Sequence, residues 1–253
     1  MRTGVPRIIE VLDLISRQPN GVSVTELARL LEINKASASR LLAGYVEAGI
    51  VERDSAQRHR PGMLLWSLGS RALAQFRPAE VARPIMFEAA RAKGVGFYFA
   101  TVRGATVYYV EQLGPGIPVT ALISTVLPIH ASGPGKAFLA FSDPEFIDQI
   151  LDLAPYERFT RHTITTRKEM QDEIERIRKR GYSINRGEYD ETAVGLAAPV
   201  YDFTGKPIAT LGNTCLPEEL TDEYIARVAP MVIEVAATLS SALGHTPVGL
   251  KVG

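Results

Sequence analysis

Residues 21–53, GVSVTELARLLEINKASASRLLAGYVEAGIVER, hold two helical periodicities separated by a turn and followed by a short extended run. Val24, Leu27, Ala28 and Leu31 recur at helical spacing, and so do Ala38, Leu41, Leu42 and Tyr45. Ser23 with Glu26 three positions later has the form of a capping box and predicts a helix over about 23–31. Asn34 is the expected N-cap of a second helix over about 34–47. Lys35, Ala36, Ser37, Ser39 and Arg40 open that helix. Small residues there let a helix approach base edges, and the cations meet phosphate or guanine. The stretch reads as a helix-turn-helix.

The flanks extend this reading. Pro6, Ile8, Ile9, Leu12 and Ile15 predict a first helix over 6–18, stopped by Pro19-Asn20-Gly21. After Gly49, residues 50–53 read as a strand, 54–57 as a turn and 58–64 as a return strand, which makes a winged helix-turn-helix. Arg58, His59 and Arg60 at the wing are expected to reach phosphate or the minor groove, the alternative being a solvated charged loop. Leu65, Leu68, Ala72 and Phe76 predict one further helix, a linker over 64–78 ended by Pro78. Its apolar stripe, with Trp66, suits dimerisation or packing within the N-terminal domain.

A formal net charge of zero over 253 residues hides an asymmetry. Residues 1–77 hold 11 Lys/Arg against 7 Asp/Glu, a balance of +4, and residues 78–253 hold 17 against 21, a balance of −4. The positive share falls where the helix-turn-helix lies. Cys215 has no internal disulfide partner, which suits a reducing, cytoplasmic setting. Glu10 and Asp13 interrupt the first apolar run, so no signal peptide is expected. No apolar stretch approaches the ~20 residues a bilayer span needs, so no membrane association is expected.

Beyond Pro78 the pattern changes. A helix over about 79–93 precedes three strand-like segments, GFYFATVRG, ATVYYVEQL and IPVTALIST. LPIHASGPGKAFLAFS leads from a loop into a helix, Asp143-Pro144-Glu145 starts another, and 167–180 is an amphipathic helix with acids early and bases late. VGLAAPVYD and KPIATLGNT flank a hairpin at Phe203-Thr204-Gly205, and a last helix covers about 221–243. Helices beside an antiparallel sheet make an α+β domain of the sensor type.

These motifs, taken in order, resemble the IclR family of bacterial transcriptional regulators. The resemblance rests on INKASASRLLAGYVEAGIVER, Gly62 with Leu68-Gly69, ASGPGKAFLA, Arg180-Gly181-Tyr182 and GLAAPVYDFTGKPIATLG. It implies an N-terminal winged helix-turn-helix over 1–63, a linker helix over 64–78 and a GAF-like effector-binding domain over 79–246 with a central antiparallel sheet. Residues 247–253 are expected to form a flexible tail. It also implies homodimers, often paired into tetramers, on double-stranded operator DNA, and repression is favoured over activation. The DNA contacts expected are Lys35, Ser37, Ser39 and Arg40, with Arg58 and Arg60 from the wing. The positions matching the family's effector pocket are Gly133, Pro134, Asn185, Gly195, Gly212 and Thr214, with Val119 and Leu127. Where relatives carry Asp, Cys or Ser, this chain has Asn185, Gly195 and Gly212, a loss of side chains that predicts a larger pocket. Phe97, Tyr98, Phe99, Tyr108 and Tyr109 alternate on two strands, so about half face inward and suit an aromatic acid.

Two other classes compete. Gly133-Pro134-Gly135-Lys136 has the look of a phosphate loop without its GxxxxGK[ST] spacing, and Lys136 is expected to anchor a loop or helix at the surface. His59, His130, His162 and His245 are scattered, so neither a metal site nor a catalytic set assembles, and no cofactor is expected. An interaction module without DNA binding is the second rival. A salt slope separates it from a DNA binder, because each phosphate neutralised contributes about −0.9 in log affinity against log salt.

Overall fold

The computed structural model describes residues 4–74, 77–115 and 126–246. The chain divides into two compact units, residues 1–75 and 76–253.

The first unit has α1 (Val5–Ser16), α2 (Val24–Leu30), α3 (Lys35–Glu47), β1 (Val51–Arg53), β2 (His59–Pro61) and α4 (Met63–Ala74). Both predicted caps form. Ser23 Oγ accepts from the Glu26 amide at 3.2 Å while the Glu26 carboxylate accepts from the Ser23 amide at 2.7 Å. Asn34 Oδ1 accepts from the Ser37 amide at 2.8 Å. Each satisfies donors that a helix start leaves open. β1 and β2 pair antiparallel with Glu52 opposite Arg60, and Val22 joins their edge by two backbone bonds to His59. Val11, Ile15, Val22, Leu27, Leu31, Leu42, Tyr45 and Val51 form one core, so the wing and all three first helices share it.

The second unit runs α5 (Arg77–Lys93), β3 (Phe97–Arg103), β4 (Thr106–Leu113), β5 (Val126–Pro128), α6 (Gly133–Ala140), α7 (Pro144–Leu151), α8 (Arg167–Arg180), β6 (Ser183–Arg186), β7 (Val194–Tyr201), β8 (Pro207–Cys215) and α9 (Asp222–Ala242). The six strands are antiparallel in the order β5-β4-β3-β8-β7-β6. Strand alternation divides β3 between two cores. Phe97 and Phe99 join Leu196, Ala198, Leu211 and the α5 and α9 side chains. Tyr98, Ala100 and Val102 point the other way, toward Ala137, Leu139, Ile174 and Ile177.

Three expectations need correction or placement. β6 was not foreseen: Ser183-Ile184-Asn185-Arg186 has no strand periodicity, and only pairing with β7 makes it extended. α9, 21 residues long, does meet the length and apolarity of a bilayer span, contrary to the expectation. Its Ile225, Val228, Val232, Val235 and Leu239 are buried in the second core. The predicted strand over 117–125, Val119 within it, and the tail at 247–253 lie outside the described residues.

Leu42 is fully buried where α3 meets the rest of the first unit. Leu42→Ala is expected to cost about 2–5 kcal/mol, read from urea unfolding of the full chain as loss of the first unit's transition.

Candidate DNA-reading and effector sites

On α3 the core side is Ala38, Leu42 and Tyr45, which leaves Lys35, Ala36, Ser39, Arg40, Ala43 and Gly44 exposed. Ser37 is half-buried at the flank, beside its bond to Asn34. Among the described residues neither Lys35 nor Arg40 forms an ion pair. Exposed Arg29 at the end of α2 and Arg53 on β1 are in the same condition, and the charge count alone was the signal for them.

The wing arginines behave differently. Arg58 is turned inward: Nε donates to the Asn20 carbonyl at 2.7 Å, and Nη2 to the Gly21 carbonyl at 2.8 Å and Glu26 at 2.9 Å. Its guanidinium ties the wing to the start of α2 through Nε and Nη2. Arg60 lies 3.2 Å from Asp54 with its side chain half exposed. The bonds from Ser23 and then the Arg58 ion pair hold the Glu26 carboxyl down at about 2.

In the second unit a cavity of about 40 Å³ lies between the sheet and the start of α6. Leu127, Pro134, Asn185, Gly195 and Thr214 line it, as expected. Tyr98, Tyr109, Tyr189 and Asp190 line it as well. Of the five aromatics, Tyr98 and Tyr109 face the cavity, Phe97 and Phe99 face α9, and Tyr108 is exposed. The Tyr98 and Tyr109 rings meet edge to face at 4.9 Å. Burial, and then the neighbouring hydroxyl, pushes the Tyr98 phenol well above its ordinary value, and burial raises Tyr109 likewise. Both are neutral hydroxyls at pH 7; the single Tyr98 O–H donates to the Leu196 carbonyl at 3.4 Å, which leaves the Tyr109 hydroxyl to donate to a carboxylate. Thr214 Oγ1 has no hydrogen-bond partner among the described residues.

Asn185 also bonds within its own loop. Its Oδ1 accepts from the Gly187 and Glu188 amides at 3.2 and 3.3 Å, and Nδ2 donates to the Ala193 carbonyl at 2.8 Å. The side chain shapes the loop between β6 and β7 that bounds the cavity.

Gly133 and Gly212 do not border the cavity, and the glycines do not enlarge it. A Cβ at 212 would stand 2.2 Å from Tyr98 Cζ and Oη, and one at 195 would stand 2.0 Å from the Asn213 carbonyl oxygen. The missing side chains are replaced by a tyrosine ring and by close strand approach. The predicted larger pocket is therefore corrected: pockets for drug-sized ligands run about 300–1,000 Å³.

Lys136 is likewise not at the surface. It is 1% exposed, and Nζ lies 2.5 Å from Glu188, 2.9 Å from the Ile184 carbonyl and 3.5 Å from Glu173. Burial raises the Glu173 carboxyl, but Lys136, Arg176 and Arg180 outweigh it and leave the group below its ordinary value. A second cavity, about 250 Å³, lies against α9 with Phe141, Tyr201, Ile233 and Ala236 in its walls. It is larger but apolar, and its Ser240 hydroxyl is used by the Ala236 carbonyl and the Tyr201 amide. Of these two, the smaller one gathers the polar groups. Among the described residues, no three His, Cys, Asp or Glu side chains group as a metal site.

Comparison with known proteins bears on both units. Residues 4–55 match the IclR helix-turn-helix domain, and residues 71–241 match the bacterial transcriptional regulator IclR C-terminal domain. The HTH-type transcriptional regulator BhcR of Paracoccus denitrificans is 28% identical over 92% of this chain and 85% of its own length. The acetate operon repressor of Salmonella typhimurium is 27% identical over 95% and 89%. In structure, an IclR homolog from Microbacterium hydrocarbonoxydans, complexed with 4-hydroxybenzoate, superposes with a TM-score of 0.75 over 94% of this chain and 97% of that one, at 24% identity.

Two expectations follow from the charges. Because Glu26 titrates near 2 in the fold and near 4.5 when free, its stabilising share is fully present above pH 4.5 and is lost as pH falls toward 2. Glu26→Gln should flatten that acid limb of the first unit's melting profile. Lys136→Met leaves Glu188 buried without its cation and should cost about 3–5 kcal/mol in urea unfolding, with part recovered in the Lys136→Met/Glu188→Gln pair.

Proposed function

The chain belongs to the IclR family of bacterial transcriptional regulators, and on that premise we propose that it is a repressor whose operator affinity is set by a small aromatic acid. The observation that carries the DNA half is the state of the cations. Lys35 and Arg40 stand exposed on α3 without ion pairs among the described residues, beside the small residues Ala36, Ser39, Ala43 and Gly44. In this reading Lys35, Ser37, Ser39 and Arg40 meet the operator, Arg60 reaches phosphate once freed from Asp54, and Arg58 positions the wing. Residues 1–63 bind DNA, 64–78 link and 79–246 bind the effector. A dimer or tetramer supplies two recognition helices at the half-site spacing that operator symmetry requires. The protein acts in the cytoplasm and catalyses no reaction.

The effector reading is supported by the two neutral phenols and the Thr214 hydroxyl at one cavity, with the N-terminus of α6 beside it, where a carboxylate is favoured. The 4-hydroxybenzoate complex of a protein with the same fold supports the aromatic class. A coupling of ~1–3 kcal/mol between the sites would change operator affinity about 5–150-fold.

The test is a mobility shift on the DNA upstream of the protein's own gene, repeated with 4-hydroxybenzoate, protocatechuate and phenylacetate. Calorimetry against glyoxylate and pyruvate accompanies it. One aromatic acid is expected to weaken a specific shift, whereas binding of the small acids alone would end the aromatic reading. Arg40→Ala is expected to weaken operator binding roughly 10-fold or more and to lower the salt slope by about 1, leaving effector affinity unchanged. Equal loss of both activities would show Arg40 to be structural.

A further inference from the structure

Gly212 is absent from the walls of the effector cavity because a side chain of the same sheet covers it, while Gly133 faces Asn185 and Ser183. The Tyr98 ring rests in the seat that bare Gly212 leaves on β8, directly across the strand pair. Its hydroxyl reaches the Leu196 carbonyl at 3.4 Å and lies 3.8 Å from where a Gly133 Cβ would be. Tyr98 is 3% exposed, and a cavity of about 40 Å³ remains beside it.

We propose that Tyr98 is the specificity-determining residue of this site, a phenol built into the chain that permanently fills the inner compartment between Gly133, Gly212 and Leu196. The inference rests on the effector-site reading above. Two- and three-carbon oxo acids, which need a small enclosed compartment, find it taken. A ligand is confined to the outer compartment over Leu127, Pro134 and Thr214, and it extends toward the exposed rim at Tyr189 and Asp190. A planar aromatic acid suits that place, since it can lie against the Tyr98–Tyr109 pair and accept from the Tyr109 and Thr214 hydroxyls.

Removing the ring should leave a compartment of its own shape, with the Leu196 carbonyl placed to accept from a matching phenol. The probe is therefore 4-methylphenol, the tyrosine side chain as a free compound, titrated calorimetrically into the full chain. Tyr98→Ala is expected to bind it at least 10-fold more tightly than the unaltered protein, and Tyr98→Phe, which keeps the ring, to match the unaltered protein. Tyr98→Leu, a milder truncation, should show the same gain if the alanine variant does not fold. A cooperatively melting Tyr98→Ala or Tyr98→Leu protein with no gain, or equal binding by the unaltered protein, would overturn the assignment. Gain of 4-methylphenol binding in a protein that binds no organic acid when unaltered supports the built-in occupant and removes the effector reading instead.

Discussion

A lysine ammonium buried to 1% exposure is the constraint around which the second unit is arranged. Taking such a charge out of water costs several kcal/mol, and only close partners offset it. Lys136 on α6 has three: Glu188 from the loop after β6, Glu173 from α8 and the backbone of Ile184. Glu188 in turn accepts from the Arg186 amide, and its own carbonyl accepts from Thr163. One charge therefore holds two helices, a short strand and the loop that bounds the cavity at Tyr98 and Tyr109 in a single arrangement. β6, which has no strand signal of its own, lies where this network and its pairing with β7 place it.

The first unit distributes its charges by a different logic. Arg58 is spent on internal carbonyls and Glu26, which joins wing and helix start, while Arg40 and Lys35 are left to solvent on the face of α3. All four wing and helix cations look alike in a charge count. They separate by which of them finds an acceptor within the fold, because the Nε and Nη2 donors that Arg58 gives to internal acceptors are not available to a phosphate.

Glycine in the effector site carries a comparable lesson. A missing side chain makes room, but what fills the room depends on the neighbour across the strand. At 195 the Asn213 backbone takes it, and at 212 the Tyr98 ring does. An aromatic ring of the chain therefore stands where Gly212 leaves room.

Local physics made much of this chain legible in order. Ser23, Glu26 and Asn34 mark helix starts because their side chains bond amides only three residues away, and apolar spacing marks which face of α3 is buried. The helix-turn-helix, the wing and the sheet hairpins rest on such short-range rules, whereas the five expected positions that line the cavity came from the family resemblance. What tertiary structure decided are matters between distant residues. They include the burial of Lys136 through partners 37 and 52 positions away. They include the inward turn of Arg58 toward residues 37 and 38 positions away. The filling of Gly212's vacancy by Tyr98 is the third. Charge pairing and packing act through space, and neither periodicity nor composition records which distant partner the fold will bring within reach.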